Sequence, residues 1–536
     1  MKVLYSSKIS KFLLWSLLIT TIAVGCKKKN IEPEVAVPPS RAQLTKDSIY
    51  LYAKQVYLWN DVIPSYDVFN PRKYTQFSSE LDNFNKELFD ITQLKINSVT
   101  GKPFEYKASS PLEPKFSYID DSDNTSSINS TVPKVSEVTL EGIGDDFGVA
   151  LNLVGTLSSY QIYLRYVSPD SPADKSLFKR GDILNSINGR VFGTNFTTAD
   201  ENFINNAFEQ SSITLGGRKS DGTTFSNKVL TKTSYTSNPI YKETVITSGS
   251  KKIGYLAFAR FSNTDTNAGT PLRDAFAKFV TQGATDLVVD LRYNGGGYVS
   301  TAELMANLIA PSSKSGSTMF TEYFNSTMQN KQASILKNQP LLSSSGQSQY
   351  QNGNLVTYFD QDWSVAANTY KFSKQGSLSG ITKVVFIVSE STASASELVI
   401  NVLKPHMDVK LVGSKDNTGK PINTYGKPVG FFPITIDKYD VYFSMFETRN
   451  SLGEGNYHAG FVPNITAADD VTRDFGDPAE AQFAAAINYI TTGALIAKAS
   501  TATIMGTKMS ITPSMIKSLG KDNSFKGMIE TRHKLK

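Results

Sequence analysis

The spacing of apolar positions changes character three times along the chain. From Asp47, the run D-S-I-Y-L-Y-A-K-Q-V-Y-L-W-N-D-V-I-P brings Ile49, Tyr52, Val56, Trp59 and Ile63 near one face. That period predicts an amphipathic helix stopped by Pro64. A second helix is predicted over Ser79–Asn97, and Phe116–Asp120 closes this helical unit. Residues 121–136 are rich in Ser, Asn and Thr and read as a loop. Strict alternation then takes over, with strands predicted at Asp146–Val154 and Gln161–Val167.

From residue 245 the pattern becomes strand, helix, strand, helix. Lys252–Phe258 and Asp286–Asp290 read as strands, Pro271–Gln282 and Val299–Ile309 as helices. A short central strand in this order implies parallel pairing and right-handed crossovers. It also implies a site beyond the C-terminal ends of the strands. Residues 311–379 read as a polar insertion with aromatic islands, some strand, and a place over the site. Further strands are predicted at Val384–Val388, Val409–Gly413, Val429–Asp437 and Tyr439–Phe446, a helix at Leu398–Leu403, and a closing helix at Ala479–Ile490. Residues 500–536 show only a weak, polar pattern.

The 536 residues are too many for one core, and 40% apolar content is enough for several. The net charge of +6 is local. Residues 1–30 hold six lysines and no acid, so residues 31–536 are neutral. Without a basic body, nucleic acid is excluded as the expected partner. Lys2, Lys8 and Lys11 precede an apolar stretch from Phe12 to Val24, too short to span a bilayer comfortably. It ends in Ala23-Val24-Gly25-Cys26. Cys26 is the only cysteine, so no disulfide can form within the chain. The segment resembles a bacterial lipoprotein signal cleaved before Cys26, which would carry lipid. An ordinary signal peptide is the alternative. A periplasm-facing lipid anchor in the outer membrane is expected, with Lys27–Lys29 against the headgroups.

Three stretches carry candidate chemistry. In S-T-A-S-A-S-E-L, residues 391–398, a strand-to-helix turn would hold Ser394 at a helix N-terminus. Free backbone N–H groups and the helix dipole favour developing negative charge there, as an acyl-transfer nucleophile requires. The same residues fit a capping box in which Ser394 only caps a helix. The second stretch, L-R-Y-N-G-G-G-Y at 291–298, places Gly295–Gly297 beyond a strand end. No G-K-[ST] follows, which argues against a nucleotide loop. The third, S-P-D-S-P-A-D-K-S-L-F-K-R-G-D-I-L-N-S-I-N-G-R-V at 168–191, resembles the signature of PDZ domains. Such domains take peptide C-termini by strand addition. The matching loop would use Asp146, Phe147 and Gly148 for peptide binding, with acids where glycine is usual.

D-L-R-Y-N-G-G-G, T-A-S-A-S-E and T-Y-G-K follow that signature in order. Together they resemble the carboxyl-terminal processing peptidases, or tail-specific proteases, in their Bacteroidetes-type lipoprotein branch. The resemblance implies an α/β, multidomain fold of six segments. These are a lipoprotein signal peptide at 1–25, a linker at 26–44 and a helical domain at 45–130. A β-rich PDZ domain at 137–235, a ClpP/crotonase-like α/β serine peptidase core at 245–490 and a tail at 491–536 follow. It implies a Ser–Lys dyad with Ser394 as nucleophile and Lys427 as base, Lys420 being the alternative. The backbone N–H groups of Ala395 and of the Gly296 region would form the oxyanion hole. Phe431 stands where some members place a lysine-orienting glutamine. No cofactor or metal is implied, and the partners are protein or peptide substrates. A non-catalytic ligand- or peptide-binding lipoprotein on the same fold is the competing reading.

A lysine base also follows from chemistry. The chain's three histidines, His406, His458 and His533, sit in no triad motif. A lysine acts as base once burial brings its pKa down from about 10.4 toward neutrality.

Overall fold

Asn294 and the Ser394 elbow meet beyond the ends of the parallel strands of the main sheet. The computed structural model describes residues 38–121, 138–343, 346–496, 501–504, 507–510, 516–519 and 525–532. The expected signal peptide, Cys26 and most of the 121–136 loop lie outside the described residues.

Helices α1 (Arg41–Val56) and α2 (Glu80–Thr92) form the helical start. Ile49, Tyr52 and Val56 are buried as their spacing predicts. Trp59 and Ile63 lie beyond the end of α1, in a short turn, and α2 ends five residues before Asn97. Strand β1 (Tyr118–Asp121) follows.

The segment with the PDZ-like signature contributes β2 (Val149–Thr156), β3 (Ser159–Val167), β4 (Ile183–Ile187), helix α3 (Thr198–Glu209), β5 (Ser212–Arg218) and β6 (Thr224–Thr231). Its sheet packs Phe147, Ile162, Leu184, Ile204 and Phe208 into one apolar cluster.

The main sheet contains β7 (Ile240–Ser248), β8 (Lys251–Phe258), β9 (Asp286–Asp290), β13 (Lys383–Ile387), β14 (Asp408–Gly413) and β19 (Ile465–Thr466), in that order. The first pair is antiparallel and the others are parallel. Helices α4 (Gly269–Thr281), α5 (Val299–Ile309) and α6 (Ala395–Leu403) cover one face. There Leu256, Val289 and Phe386 meet Leu272, Met305 and Val399. Helix α7 (Ala481–Thr492) covers the other, where Tyr255, Val288 and Val385 meet Phe483 and Ala486. Alternate residues of each strand serve opposite faces, which explains why these strands read as unbroken apolar runs.

The strand β10 (Gly296–Tyr298) lies outside that sheet. Part of the polar insertion, β11 (Thr318–Phe324) and β12 (Thr369–Lys371), pairs with β15 (Val429–Gly430) and β18 (Phe446–Asn450) in a four-stranded sheet. The predicted strand Val429–Asp437 is two pieces, β15 and β16 (Ile434–Ile436), which straddle Phe431-Phe432-Pro433. Proline lacks the N–H that a continuous ladder needs. Strands β16, β17 (Tyr439–Tyr442) and β1 form a separate three-stranded sheet.

The tail contradicts its weak pattern. β20 (Ile516–Leu519) joins the sheet of the 149–231 segment beside β2, and β21 (Gly527–Ile529) pairs in parallel with β10. Both strands owe their order to the edges they join rather than to any amphipathic period of their own.

Candidate active site

Strand β13 ends at Ile387 and the chain turns into α6 within seven residues. Ser394 stands at that joint with φ 59° and ψ −110°. This is a strained conformation for a residue with a Cβ, costing about 1–3 kcal/mol. Surrounding bonds hold it. The Thr392 hydroxyl donates to Leu291 O at 2.8 Å, and the Ala393 N–H donates to Asn294 O at 3.2 Å. Ser396 Oγ donates to the same carbonyl at 3.1 Å. Glu397 Oε2 accepts the Ser394 N–H at 2.9 Å, closing one half of a capping box. Ser394 Oγ is fully buried and has no hydrogen-bond partner. The hydroxyl faces the Glu397 N–H in capping-box geometry but makes no full hydrogen bond there, so it is not consumed as a cap. Ala395 is the first residue of α6, so its N–H belongs to the unpaired donors of a helix start.

The glycine loop lies against this elbow. Asn294 Nδ2 donates to Phe258 O at 3.0 Å, and Asn294 Oδ1 accepts the Gly296 N–H at 2.9 Å. The expected oxyanion role of that N–H is thus corrected, because it is already spent on Asn294. What Gly296 supplies is closeness. At φ +109°, a Cβ there would lie 3.0 Å from Ala395 N and 2.3 Å from Gly527 O. Among the residues expected to hold the oxyanion, Ala395 keeps a donor for it.

Lys427 and Lys420 fare differently. Lys420 is exposed, in a turn where its carbonyl accepts the Asp416 N–H at 2.8 Å. Lys427 is 1% exposed. Its Nζ lies 4.7 Å from the centre of the Phe431 ring and 5.8 Å from that of Phe116. Nζ donates to Phe116 O at 3.1 Å and to Lys526 O at 2.8 Å. Burial brings its pKa down to about 7, Glu105 and Glu397 opposing the shift and Lys115 adding to it. Phe431, which has no amide to orient the lysine, supplies apolar cover instead.

Glu397 ties the two parts together. Its buried carboxylate accepts the Ser394 and Lys427 N–H groups on one oxygen and the Gly426 N–H and Thr424 hydroxyl on the other. Desolvation raises its pKa, and these bonds work against the rise.

Two neighbours were invisible in the sequence. Lys115 donates to His458 O at 2.7 Å, and burial lowers its pKa to about 8. Glu105 is fully buried and bonded to Ser117 N, Ser117 Oγ and Ser444 Oγ. Both lie in an irregular stretch, 93–117, whose composition gives no period and no motif.

The loop expected to bind a peptide carboxylate is also corrected. Gly148 N–H donates to Asp146 Oδ1 at 2.7 Å, and Tyr235 OH donates to the same oxygen at 2.6 Å. Phe147 is buried in the core of its own sheet, its carbonyl accepting the Ala173 N–H. The acid noted in the sequence thus fills the donor that a terminal carboxylate would need.

This α/β core, with a buried serine on a strained elbow and a buried lysine tied to it, is that of a peptidase. Residues 252–439 match the model of peptidase family S41. The substrates of such a domain are proteins or peptides. A crystal structure described as that of an S41 protease from Bacteroides fragilis NCTC 9343 superposes with a TM-score of 0.56 at 20% identity. It covers 83% of this chain and 97% of that one, so the fold is shared. The photosystem II D1 C-terminal processing protease matches with a TM-score of 0.41 at 15% identity, covering 82% and 99%. A search of curated proteins found no match.

Proposed function

We propose that the protein is a serine endopeptidase of the bacterial envelope, with Ser394 as nucleophile and Lys427 as base, cleaving proteins near their C-terminal tails. The observation that carries this reading is Glu397, one carboxylate that fixes both the serine elbow and a lysine whose pKa lies near 7. Neutral Lys427 takes the Ser394 proton as Oγ attacks the substrate carbonyl. The tetrahedral oxyanion is held by the Ala395 N–H at the start of α6. Lys427 then gives the proton to the leaving amine, and water repeats the sequence on the acyl-enzyme. For this, Nζ exchanges a carbonyl partner for Ser394 Oγ.

The envelope location rests on the basic, apolar and Cys26 sequence at the N-terminus. The PDZ assignment rests on the 168–191 signature and the helix-backed sheet around it.

The test is hydrolysis of casein and labelling by a fluorophosphonate, in wild type, Ser394→Ala and Lys427→Ala. Activity and labelling in wild type alone support the dyad. Retained hydrolysis in Ser394→Ala excludes it. A wild type that neither labels nor hydrolyses points to the ligand-binding alternative.

A further inference from the structure

The chain's own C-terminal segment occupies both places where a substrate would bind. In the PDZ-like sheet, β20 lies antiparallel to β2, with Ile516 opposite Val154 and Leu519 opposite Leu151. Leu519 is 3% exposed and packs in the cluster that includes Phe147, Ile204 and Phe208. Lys517 Nζ pairs with Glu201 on α3 at 2.9 Å, and Arg165 donates to Ser518 Oγ at 2.9 Å. This is strand addition into the groove between a sheet edge and a helix. The groove nevertheless takes an internal segment. The Gly148 N–H that would meet a free carboxylate already holds Asp146.

In the catalytic cleft, β21 runs between two backbone walls. Gly527 N–H donates to Gly295 O at 3.0 Å on one side. On the other, Phe431 N–H donates to Met528 O at 3.0 Å, and Glu530 N–H donates to Phe431 O at 3.1 Å. Met528 is fully buried. The Gly527 carbonyl lies against Gly296, beside the Ala395 N–H, and the Lys526 carbonyl takes Lys427 Nζ. With this strand in place, Ser394 Oγ has no partner and the lysine is engaged with the tail.

We propose that residues 516–519 and 525–530 are an intramolecular ligand of the peptidase, filling the groove and the cleft and holding the enzyme at a low basal activity until a substrate displaces them. The displacing substrate has the same chemistry: an extended internal segment, apolar where Leu519 and Met528 sit, rather than a free carboxylate at the groove. Because the ligand is tethered, its effective concentration is of millimolar order, and a peptide at micromolar concentration does not enter the wild type. The proposal rests on the dyad reading for its effect on activity, but not for its effect on binding.

The experiment uses the full chain and a fluorescent synthetic peptide of residues 514–532. Leu519→Asp/Met528→Lys is compared with wild type, each in a Ser394→Ala background for binding and in the native background for casein hydrolysis. The double variant is expected to bind the peptide at least about tenfold more tightly than wild type does, and to hydrolyse casein at least about fivefold faster. Equal binding by the two chains overturns the proposal. A binding difference with no hydrolysis by any chain supports the tail as ligand and overturns the dyad instead.

A second pair guards against misfolding of the double variant. Lys517→Glu breaks only a partly exposed ion pair, so a rise in peptide affinity of about twofold is expected. Lys517→Glu/Glu201→Lys, probed with the peptide that itself carries Lys517→Glu, returns it to the wild-type value. An unchanged affinity in Lys517→Glu, or no reversal by the swap, counts against the tail's place on α3.

Discussion

Glu397 accepts the backbone N–H of Lys427 at 2.8 Å, on the oxygen that accepts the Ser394 N–H at 2.9 Å. The backbones of nucleophile and base are therefore tied together through one carboxylate, while the lysine Nζ itself is held by Phe116 O and Lys526 O. Replacing that carboxylate by an amide leaves a single acceptor oxygen facing three N–H groups and a hydroxyl. Glu397→Gln is expected to destabilise the fold by about 2–4 kcal/mol, since buried donors go unpaired. It also removes a negative charge that raises the Lys427 pKa. The midpoint of the kcat/KM pH profile then moves to lower pH, a shift that structural loosening alone does not produce. Urea unfolding and a pH-rate series check the two effects.

The two lysines separate cleanly. Lys420→Ala touches an exposed turn and is expected to change kcat/KM by less than about twofold. Lys427→Ala removes the buried amine and is expected to cost at least about 10³-fold, as is Ser394→Ala. Hydrolysis of one peptide substrate by the three variants decides the assignment.

The Lys427 pKa of about 7 fixes a direction with pH. Activity rises as the amine loses its proton, with a midpoint near 7 and a plateau above it. Stability follows from linkage. Between about 7 and 10.5 the unfolded lysine holds a proton that the folded one has released. Unfolding free energy contributed by this group therefore increases with pH across that window. Below about 7 both states are protonated, and the buried charge costs a few kcal/mol. Lys427→Met is expected to raise the Tm, most at pH 6 and less at pH 9. Thermal melts of variant against wild type at the two values measure it.

Gly296 tolerates no side chain. A Cβ at φ +109° meets Gly527 O at 2.3 Å and Ala395 N at 3.0 Å, backbone atoms that cannot swing aside. Gly296→Ala is expected to lower kcat/KM at least about 100-fold and to destabilise the fold by about 1–3 kcal/mol, because the side chain is strained at positive φ and its Cβ meets the walls of the cleft. Kinetics with a peptide substrate, set beside circular dichroism of the variant, test this.

The Asp286–Asp290 and Lys383–Ile387 strands, the α4 and α5 helices and the elbow at Ser394 were legible because each rests on a local period or a local turn. Strands buried on both faces leave an apolar run, and a helix start leaves Ser and Glu three residues apart. Lys115 and Glu105 left no such mark. They reach the site from an irregular stretch some 300 residues before Lys427, and only packing brings them there. The sequence also offered two lysines, of which Lys427 is buried and Lys420 exposed.

The sequence by itself determined the order of the elements, the parallel sheet, and the two short motifs that place Ser394 and the glycines at one end of it. Tertiary structure alone decided which donors remain free. It spent the Gly296 N–H on Asn294, spent the Gly148 N–H on Asp146, and set Lys427 among aromatic rings. It also turned a tail with no pattern of its own into two strands, in the groove and in the cleft. The physical reason is common to all of these. Periodicity records which face of an element is buried, whereas hydrogen-bond saturation, desolvation and edge pairing depend on partners far away in the chain.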